Sequence, residues 1–283
     1  MKCNLIGAGR LGKNIALALT STSAISALTI YNRSLTSAQK ACQDIGFGLA
    51  VSELKELPAA DLTWLCCNDD AIATLVEALT SQAHLQPGSF VIHSSGVLNS
   101  SSLAPLQSKG CAIASFHPLK AFKSNYLDVK AFNQGDCVFE GDPAVCGWLQ
   151  QTFSQLGAYV SAISPEHKAM YHAAACMASN YLITLAACSE ELLLKAGLSA
   201  PQSRRMLLNL LQGNVGNIQH SERIADALTG PLGRGDLNTL ALHLAALENT
   251  NMHALYKAAG LATLPLTQLP AAQQEGIKNL LEH

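Results

Sequence analysis

The chain has 283 residues, of which 49% are hydrophobic and 13% are charged. Because intrinsically disordered chains combine low hydrophobicity with high charge, this composition excludes disorder and is typical of a folded protein of one or two domains. The net charge of −2 leaves no basic excess, so we expect no nonspecific binding to nucleic acid or to an anionic membrane. No apolar run reaches the length that a membrane-spanning helix needs.

The cysteines and the first residues of the chain both favour a cytoplasmic protein. There are nine cysteines and no C-x-x-C pair, so we predict free thiols rather than a disulfide framework or a zinc site. The segment from Gly7 to Gly12 interrupts any apolar stretch near the start and includes Arg10. This pattern is unlike that of a secretory signal peptide.

In the first part of the chain, short apolar runs alternate with helical patterns, which predicts βαβ units and a mostly parallel sheet. The predicted strands are Lys2–Ile6, Ala27–Tyr31, Leu62–Cys66, Phe90–His93, Ala112–Phe116, Asp136–Glu140 and Ala158–Ile163. The predicted helices are Leu11–Leu19, Leu35–Ile45 with Ser34 as its N-cap, Asp69–Leu79, Ser100–Leu106 and Ala144–Leu156.

After residue 163 the pattern becomes helical throughout. Ser164 and Pro165 have the form of a helix start, and no breaker follows before Gly197, so we predict one uninterrupted helix that ends at Lys195. Further predicted helices are Ala200–Gln212, Asp236–Glu248, Asn251–Ala259 and Ala271–Glu282. We therefore predict an α/β protein in which a doubly wound Rossmann domain (1–163) precedes an all-helical domain (164–283).

The segment Gly7-Ala8-Gly9-Arg10-Leu11-Gly12 has the form G-x-G-x-x-G and lies between a predicted strand and a predicted helix. In dinucleotide-binding folds the first glycine permits a tight turn, the second lets a pyrophosphate approach the backbone, and the third lets the helix pack on the strand. The helix N-terminus adds free N–H groups and the positive end of the helix dipole. We predict that Gly7, Gly9, Arg10, Leu11 and Gly12 bind a nicotinamide cofactor. The alternative is a tight turn without a ligand.

The residues after the second predicted strand indicate which nicotinamide cofactor is bound. NAD enzymes usually carry an acidic residue there, whereas this chain has Asn32-Arg33-Ser34. Arg33 is suited to pair with a 2′-phosphate, and Asn32 and Ser34 are suited to hydrogen-bond it, which favours NADP(H). The alternative is a solvated arginine in a loop. Asn68 and Asp69 follow the third predicted strand and are further cofactor-binding candidates, although Asp69 is also suited to cap a helix.

The glycine loop and Asn32-Arg33-Ser34 are the first of several motifs that occur in the same order in one bacterial family. The others are His93-Ser94-Ser95-Gly96, Phe116-His117-Pro118-Leu119, Tyr171-His172-Ala173-Ala174, Ser179-Asn180-Tyr181 and Leu228-Thr229-Gly230-Pro231-Leu232-Gly233-Arg234-Gly235-Asp236. The chain resembles this family over nearly its whole length. Members combine a Rossmann-like domain with a C-terminal helical domain of unknown function and are usually labelled NADP oxidoreductases. The family is similar to the larger 6-phosphogluconate-dehydrogenase-like group, which includes β-hydroxyacid dehydrogenases, ketopantoate reductase and pyrroline-carboxylate reductase.

The resemblance implies the fold and an NADP(H) cofactor, but it supplies no substrate. It also implies a homodimer built by the helical domain, and the apolar content of residues 173–194 suits a buried interface. In β-hydroxyacid dehydrogenases and ketopantoate reductase, a catalytic lysine lies four residues before an asparagine on the long helix. Here the asparagine is Asn180, Cys176 stands four residues before it, and Lys168 stands twelve before it. The lysine–asparagine pair is therefore not carried over to this chain.

A helical wheel at about 100° per residue places Lys168, His172, Cys176, Ser179 and Asn180 on one side of the long helix. A polar stripe on an apolar helix needs partners, because unpaired buried polar groups are costly, and a substrate in an interdomain cofactor crevice would supply them. We predict that His172, assisted by Asn180, exchanges a proton with a carbonyl or imine substrate there. The alternative is a structural histidine held by a hydrogen bond.

Two loops after predicted strands carry further candidates. His117 lies at the carboxyl end of its strand and is a candidate catalytic residue, or else a loop histidine that stabilises the turn at Pro118. Ser94, Ser95 and Gly96 match a Ser–Gly turn that anchors substrate in the β-hydroxyacid relatives. Their backbone N–H groups are candidates for holding a carboxylate, with a merely polar turn as the alternative.

Arg234 lies in a glycine-rich loop and is a candidate clamp for the anionic group of the substrate. Asp236 is a candidate N-cap of the next helix or a partner of Arg234, and His243 either approaches His172 or packs locally. No H-x₃-H or H-E-x-x-H spacing occurs, so we predict no metal site.

These features predict a cytoplasmic NADP(H)-dependent reductase of a small carbonyl or imine compound, one that carries a carboxylate. Two other functions remain open. A non-catalytic NADP(H)-binding sensor or scaffold is favoured by the missing lysine–asparagine pair, and a metal-dependent hydrolase on a Rossmann scaffold is the third possibility.

Overall fold

The computed structural model describes residues 1–81, 85–122 and 127–283. The chain forms two compact units, Met1–Ala178 and Ser179–His283. The predicted domains, 1–163 and 164–283, stay a prediction, because compact packing alone does not define a domain boundary. All nine cysteines are free thiols, as predicted.

An eight-stranded sheet forms the centre of the first unit. Its strands are β1 (Lys2–Ile6), β2 (Ala27–Tyr31), β3 (Leu49–Val51), β4 (Leu62–Leu65), β5 (Phe90–His93), β6 (Ala112–Pro118), β7 (Asp136–Gly141) and β8 (Tyr159–Ala162). Their order is β3-β2-β1-β4-β5-β6-β7-β8, and all neighbours are parallel except β6 and β7. The order reverses between β1 and β4, which is the position where ligands bind in doubly wound sheets. The predicted α/β architecture is confirmed.

Helices of the first unit pack around this sheet. They are α1 (Arg10–Ser21), α2 (Leu35–Ile45), α3 (Asp69–Thr80), α4 (Ala104–Gln107), α5 (Pro143–Gln155) and α6 (Lys168–Cys176). Successive strand residues enter different apolar cores, as the pleat requires: Leu5 belongs to one buried cluster and Ile6 to the other. In the first cluster the rings of Trp64 and Phe116 meet edge to face at 5.6 Å between centroids. The sheet is therefore covered by apolar side chains on both faces.

The predicted helical run that ends at Lys195 is confirmed, but it is not a regular α-helix throughout. The segment begins with a 3₁₀ turn at Pro165–His167 and continues as α6; a π-helical turn (Met177–Tyr181) then precedes α7 (Leu182–Lys195). Ser164 does hold the N-cap position, as predicted. Because a π turn contains an extra residue, it rotates the side chains that follow it relative to a regular α-helix.

The second unit is helical and has a small core. Besides α7 it contains α8 (Ala200–His220), α9 (Pro231–Arg234), α10 (Leu237–Leu247), α11 (His253–Thr263) and α12 (Ala271–Glu282). Gly197, which follows α7, has a φ of +93°, in agreement with its predicted role as helix stop. The buried cluster of this unit consists of Leu240, Leu264, Ile277 and Leu281. Among the residues that the structure describes, no helix is both apolar and long enough to span a bilayer.

Candidate active site

The glycine loop joins β1 to α1 through close backbone contacts. Gly7 has a φ of +96°, and a Cβ atom there would lie 2.7 Å from the carbonyl oxygen of Cys66. A Cβ atom on Gly12 would collide with the carbonyl oxygen of Gly7, whereas one on Gly9 would have no heavy atom within 4 Å. The first and third glycines are thus required by packing, and the second leaves an open approach to the backbone.

The N-terminus of α1 is prepared for an anion. Gly9 occupies the N-cap, no side chain caps the helix, and its first turn contains no acidic residue. The loop itself is fixed from the second strand, because the Ala8 N–H donates to Asn32 Oδ1 at 2.7 Å and the Gly7 N–H donates to the carbonyl oxygen of Tyr31 at 2.9 Å. A helix start with uncapped N–H groups and a positive dipole end fits a pyrophosphate.

A cavity of about 670 Å³ extends from this helix start along the carboxyl ends of β1, β2 and β4. This volume is within the range of small-molecule sites. Six of the predicted cofactor residues line it: Gly7, Gly9, Asn32, Arg33, Ser34 and Asn68. Arg33 is exposed, and it has no salt bridge to any residue that the structure describes.

The other predicted cofactor residues lie beside the cavity rather than in its wall. Arg10 and Leu11 begin α1, and Gly12 packs under the loop. Asp69 is the first residue of α3, and Asn68 holds the N-cap position that we had considered for Asp69. Ser34 also has a structural role as the N-cap of α2, as predicted, since its hydroxyl accepts the Ser37 N–H.

A second group of polar side chains lies at the ends of β5 and β6 and on α6. His117 Nδ1 is 2.9 Å from the hydroxyl of Tyr171, and the rings of His117 and His172 are 5.7 Å apart between centroids. A Cβ atom on Gly96 would collide with the ring of His172 and would lie 3.0 Å from His117 Nε2. The predicted residues Gly96, His117 and His172 therefore meet in one place, and Cys176 Sγ lies 4.0 Å from the far nitrogen, Nδ1, of His172.

Burial shifts the pKa values of two side chains in this group. Burial, reinforced by the nearby side chains of Lys168 and His172, lowers the pKa of His117 to about 4. Burial raises the pKa of Tyr171 to about 12. His117 is therefore a neutral imidazole at pH 7, with one protonated and one unprotonated ring nitrogen. In the tautomer in which the Tyr171 phenol donates to Nδ1, the proton of His117 lies on Nε2, the nitrogen that faces Gly96.

In the turn after β5, most polar groups already form hydrogen bonds within the protein. The Ser94 N–H donates to the carbonyl oxygen of Leu65 at 3.1 Å, and the Ser94 hydroxyl accepts from Trp64 Nε1 at 2.9 Å. The Ser95 N–H donates to His93 Nδ1 at 3.1 Å. Of the three predicted N–H donors, only that of Gly96 has no acceptor within the described parts of the chain.

Two buried residues of this site, His93 and Lys168, are not among those predicted from the sequence to act in catalysis or binding. His93 is fully buried; its Nε2 is 3.1 Å from the carbonyl oxygen of Asn99, and burial lowers its pKa to about 4. Lys168 is only 1% exposed and donates to the carbonyl oxygen of Ser95 at 3.0 Å and to Ser115 Oγ at 2.6 Å. Lys168 was visible as part of the polar stripe, but its spacing from Asn180 argued against the known lysine–asparagine pair.

The remaining predicted residues belong to the second unit. Asn180 is exposed in the π-helical turn, and Arg234 is exposed at the end of α9. Asp236 is the N-cap of α10, as considered, and accepts the Thr239 N–H at 3.1 Å. His243 Nδ1 is 2.8 Å from the hydroxyl of Tyr256, which supports the alternative of local packing.

No cluster of three or more histidine, cysteine or acidic side chains suited to a metal ion is present in the described residues. The third possible function, a metal-dependent hydrolase, has no ligand set there to support it.

Comparison with known proteins agrees with this architecture. Residues 1–118 match a Rossmann-like domain, and residues 136–263 match a domain of unknown function, DUF2520. No curated protein sequence matches the chain.

Solved structures share the fold along most of their length. A protein of Bacteroides fragilis, named provisionally as an NADP oxidoreductase, is 23% identical with a TM-score of 0.76, over 93% of this chain and 97% of that one. A protein of Thermotoga maritima is also 23% identical, with a TM-score of 0.70 over 94% and 98%. The pyrroline carboxylate reductase of Plasmodium falciparum, solved with NADP bound, is 16% identical with a TM-score of 0.59 over 99% and 98%. At these identities the likeness establishes the fold alone. The chain combines a region that matches the Rossmann-like domain (1–118) with one that matches the DUF2520 domain (136–263), as the resemblance implied.

Proposed function

We propose that the protein is an NADP(H)-dependent oxidoreductase that reduces a small carbonyl or imine compound carrying a carboxylate. The observation that carries the proposal is that two features occur at the carboxyl edge of one sheet. The cavity beside the glycine loop lies beyond β1, β2 and β4, and the cluster of Gly96, His117 and His172 lies beyond the neighbouring β5 and β6. A nucleotide bound along this edge reaches from the first feature toward the second.

The cavity residues fit the parts of NADP(H). The N-terminus of α1 and the open backbone at Gly9 suit the pyrophosphate, and Arg33 with Ser34 suits the 2′-phosphate. Asn68, which follows β4 at the N-cap of α3, would contact the ribose or the nicotinamide side. When bound, the nicotinamide supplies or accepts a hydride, and the protein orients the reactants around it.

The histidine pair would act on the oxygen or nitrogen that the reduction leaves with negative charge. His117 stays neutral at pH 7, and with its proton on Nε2 it would polarise the acceptor by donating a hydrogen bond. His172 is the proposed proton donor, because its Nε2 and that of His117 both lie on the side of Gly96 where another residue would carry its Cβ atom. The Gly96 N–H is the remaining donor of the turn for an anionic group. The roles proposed for Asn180 and Arg234 rest on the sequence motifs.

The cofactor assignment is tested by titrating the protein with NADPH and with NADH, followed by nicotinamide fluorescence. Arg33→Ala should weaken NADPH binding by about tenfold or more and leave NADH binding unchanged, since a charge-assisted hydrogen bond contributes about 1.5–3 kcal/mol. Lys40→Ala is the matched control, because it removes a positive charge from exposed α2 outside the cavity wall. Equal losses in both variants, or no loss in Arg33→Ala, would contradict the assignment of the 2′-phosphate site.

The catalytic assignment is tested by His172→Ala against a panel of 2-oxo acids and cyclic imino acids. We expect lost turnover with unchanged NADPH affinity. If wild-type protein binds NADPH but turns over no member of the panel, the alternative of a nucleotide sensor or scaffold is favoured instead.

We also propose that the second unit forms a homodimer. No residue of α7 is buried within the chain, and large apolar side chains are exposed to solvent on α7, α8 and α10. Ile183 is 68% exposed, Leu210 67% and Leu242 71%. Extended exposed apolar surface on a folded unit typically marks an interface, and a second copy of the same chain is the partner that the family resemblance implies.

A further inference from the structure

Lys168 is a buried charge that the proposed chemistry does not use. Only 1% of the residue is exposed, so it cannot contact a substrate. Lysine is almost never fully buried unless its ammonium group is paired, because removing that group from water is costly. A lysine retained at such a position requires an explanation within the first unit.

The contacts of Lys168 join two segments of the candidate active site. Its ammonium group donates to the carbonyl oxygen of Ser95, in the turn after β5, and to Ser115 Oγ, on β6. Ser115 and His117 lie two residues apart on β6 and therefore project from the same face of the strand. Ser95 directly precedes Gly96. The lysine thus connects the segment that carries Gly96 to the strand that carries His117.

We propose that Lys168 is a positioning residue of the candidate active site, whose ammonium group fixes the turn at Ser95 to β6 and thereby holds Gly96 against the imidazoles of His117 and His172. The catalytic consequence of this arrangement rests on the proposed oxidoreductase function. The structural arrangement itself does not, since each of its contacts lies within the first unit.

The charge of Lys168 has a second effect on the site. Burial lowers the pKa of Lys168 to about 8, so the amine remains mostly charged at pH 7. Lys168 interacts electrostatically with two carboxylates, on α3 and β7, and with two imidazoles, on β5 and β6: Asp69, Glu140, His93 and His117. The ammonium charge opposes protonation of His93 and His117, so Lys168 helps to keep both imidazoles neutral.

The experiment is an NMR titration of the full-length chain that follows the imidazole of His117 and the backbone amide of Gly96. The test variant is Lys168→Met, which removes both the charge and the donors while keeping a long side chain. Lys120→Met is the matched control, because Lys120 also donates to a backbone carbonyl, that of Ala131 at 2.6 Å. Turnover and NADPH affinity are measured on the same samples.

In Lys168→Met we expect the pKa of His117 to rise by about half a unit or more and the Gly96 amide signal to move. With an active substrate, kcat/KM should fall about tenfold or more at unchanged NADPH affinity, because small misplacements of reacting groups have effects of that size. Lys120→Met should behave as wild type. The proposal is overturned if Lys168→Met folds and both the pKa of His117 and the position of the Gly96 amide signal are the same as in wild type.

Ser115→Ala provides an independent test if Lys168→Met does not fold. It removes one partner of the ammonium group while keeping the charge, so the Gly96 amide signal should move with little change in the pKa of His117. An unmoved Gly96 signal in Ser115→Ala would then overturn the proposal. If wild-type protein turns over no substrate, the proposed function fails, while the two NMR signals still decide the role of Lys168.

Discussion

His93 makes the stability of the first unit depend on pH between about 4 and 6.5. The side chain is fully buried at the end of β5, and both ring nitrogens have backbone partners, the Ser95 N–H and the Asn99 carbonyl oxygen. Burial, reinforced by the positive charge of Lys168, lowers its pKa from 6.5 to about 4. Between these two pKa values the unfolded chain binds a proton that the folded chain does not. Unfolding therefore takes up a proton, and stability falls as the pH falls.

The size of the effect follows from the two pKa values. Each pKa unit corresponds to about 1.4 kcal/mol, so lowering the pH from 7 to 4 removes about 3 kcal/mol of unfolding free energy through His93 alone. This is a large fraction of the stability of a typical domain. The loss begins near pH 6.5, where the unfolded histidine starts to be protonated, and it is complete just below the folded pKa of about 4.

Denaturant unfolding at several pH values between 7 and 4 measures this effect for the first unit. The chain has two tryptophans, Trp64 and Trp148, and both belong to that unit, so tryptophan fluorescence reports its unfolding separately. His93→Gln removes the titrating group, and wild type should lose about 3 kcal/mol relative to this variant upon acidification. His167→Gln is the matched control, because His167 is exposed in the same unit. Carboxylates contribute equally to all three proteins and cancel in the comparison. A wild type and a His93→Gln variant with the same pH slope would refute the reasoning.

Three further substitutions test the loop, the turn and the interface. Gly12→Ala should abolish NADPH binding in the fluorescence titration, because its Cβ atom would collide with the backbone of Gly7 and displace the loop. Gly96→Ala should reduce kcat/KM about tenfold or more at unchanged NADPH affinity, since the methyl group would occupy the position of the His172 ring. Ile183→Glu should convert the proposed dimer to a monomer in sedimentation equilibrium, because it places a charge in an apolar face, and an unchanged mass would exclude that face as the interface.

Most strands of the sheet can be predicted from the sequence, because they are buried apolar runs and because the residues that begin and end them act locally. Three kinds of feature can be recognised from the local sequence, because each acts within a few residues: the glycine loop, the N-cap at Ser34 and the short apolar runs. The strand that escaped prediction, β3, has only three residues and lies at the edge of the sheet with Leu49 exposed. Its hydrogen bonds to β2 hold it there, and no apolar periodicity marks it in the sequence.

Site residues that directly follow a predicted strand could be located from the sequence. Contacts between residues far apart in the sequence could not. His117 and Gly96 follow strands, so their position at the carboxyl edge of the sheet could be expected. The contact of Lys168 with Ser95 and Ser115 joins residues that are 73 and 53 positions apart. No periodicity encodes such a contact.

The polar stripe predicted by the helical wheel depends on a regular α-helix, and the helix is regular over only part of the stripe. The wheel grouped Lys168, His172 and Cys176 with Ser179 and Asn180 on the assumption of one regular helix. Up to Cys176 the helix is regular, and Cys176 does lie one turn from His172. The π-helical turn then begins at Met177, and the extra residue rotates everything after it. Ser179 and Asn180 lie inside that turn, so the angular spacing of a regular α-helix does not describe their positions. Lys168 lies on the regular part of the helix, and its hydrogen-bond partners are the carbonyl oxygen of Ser95 and the hydroxyl of Ser115, whereas the resemblance to known dehydrogenases would pair a lysine with the asparagine.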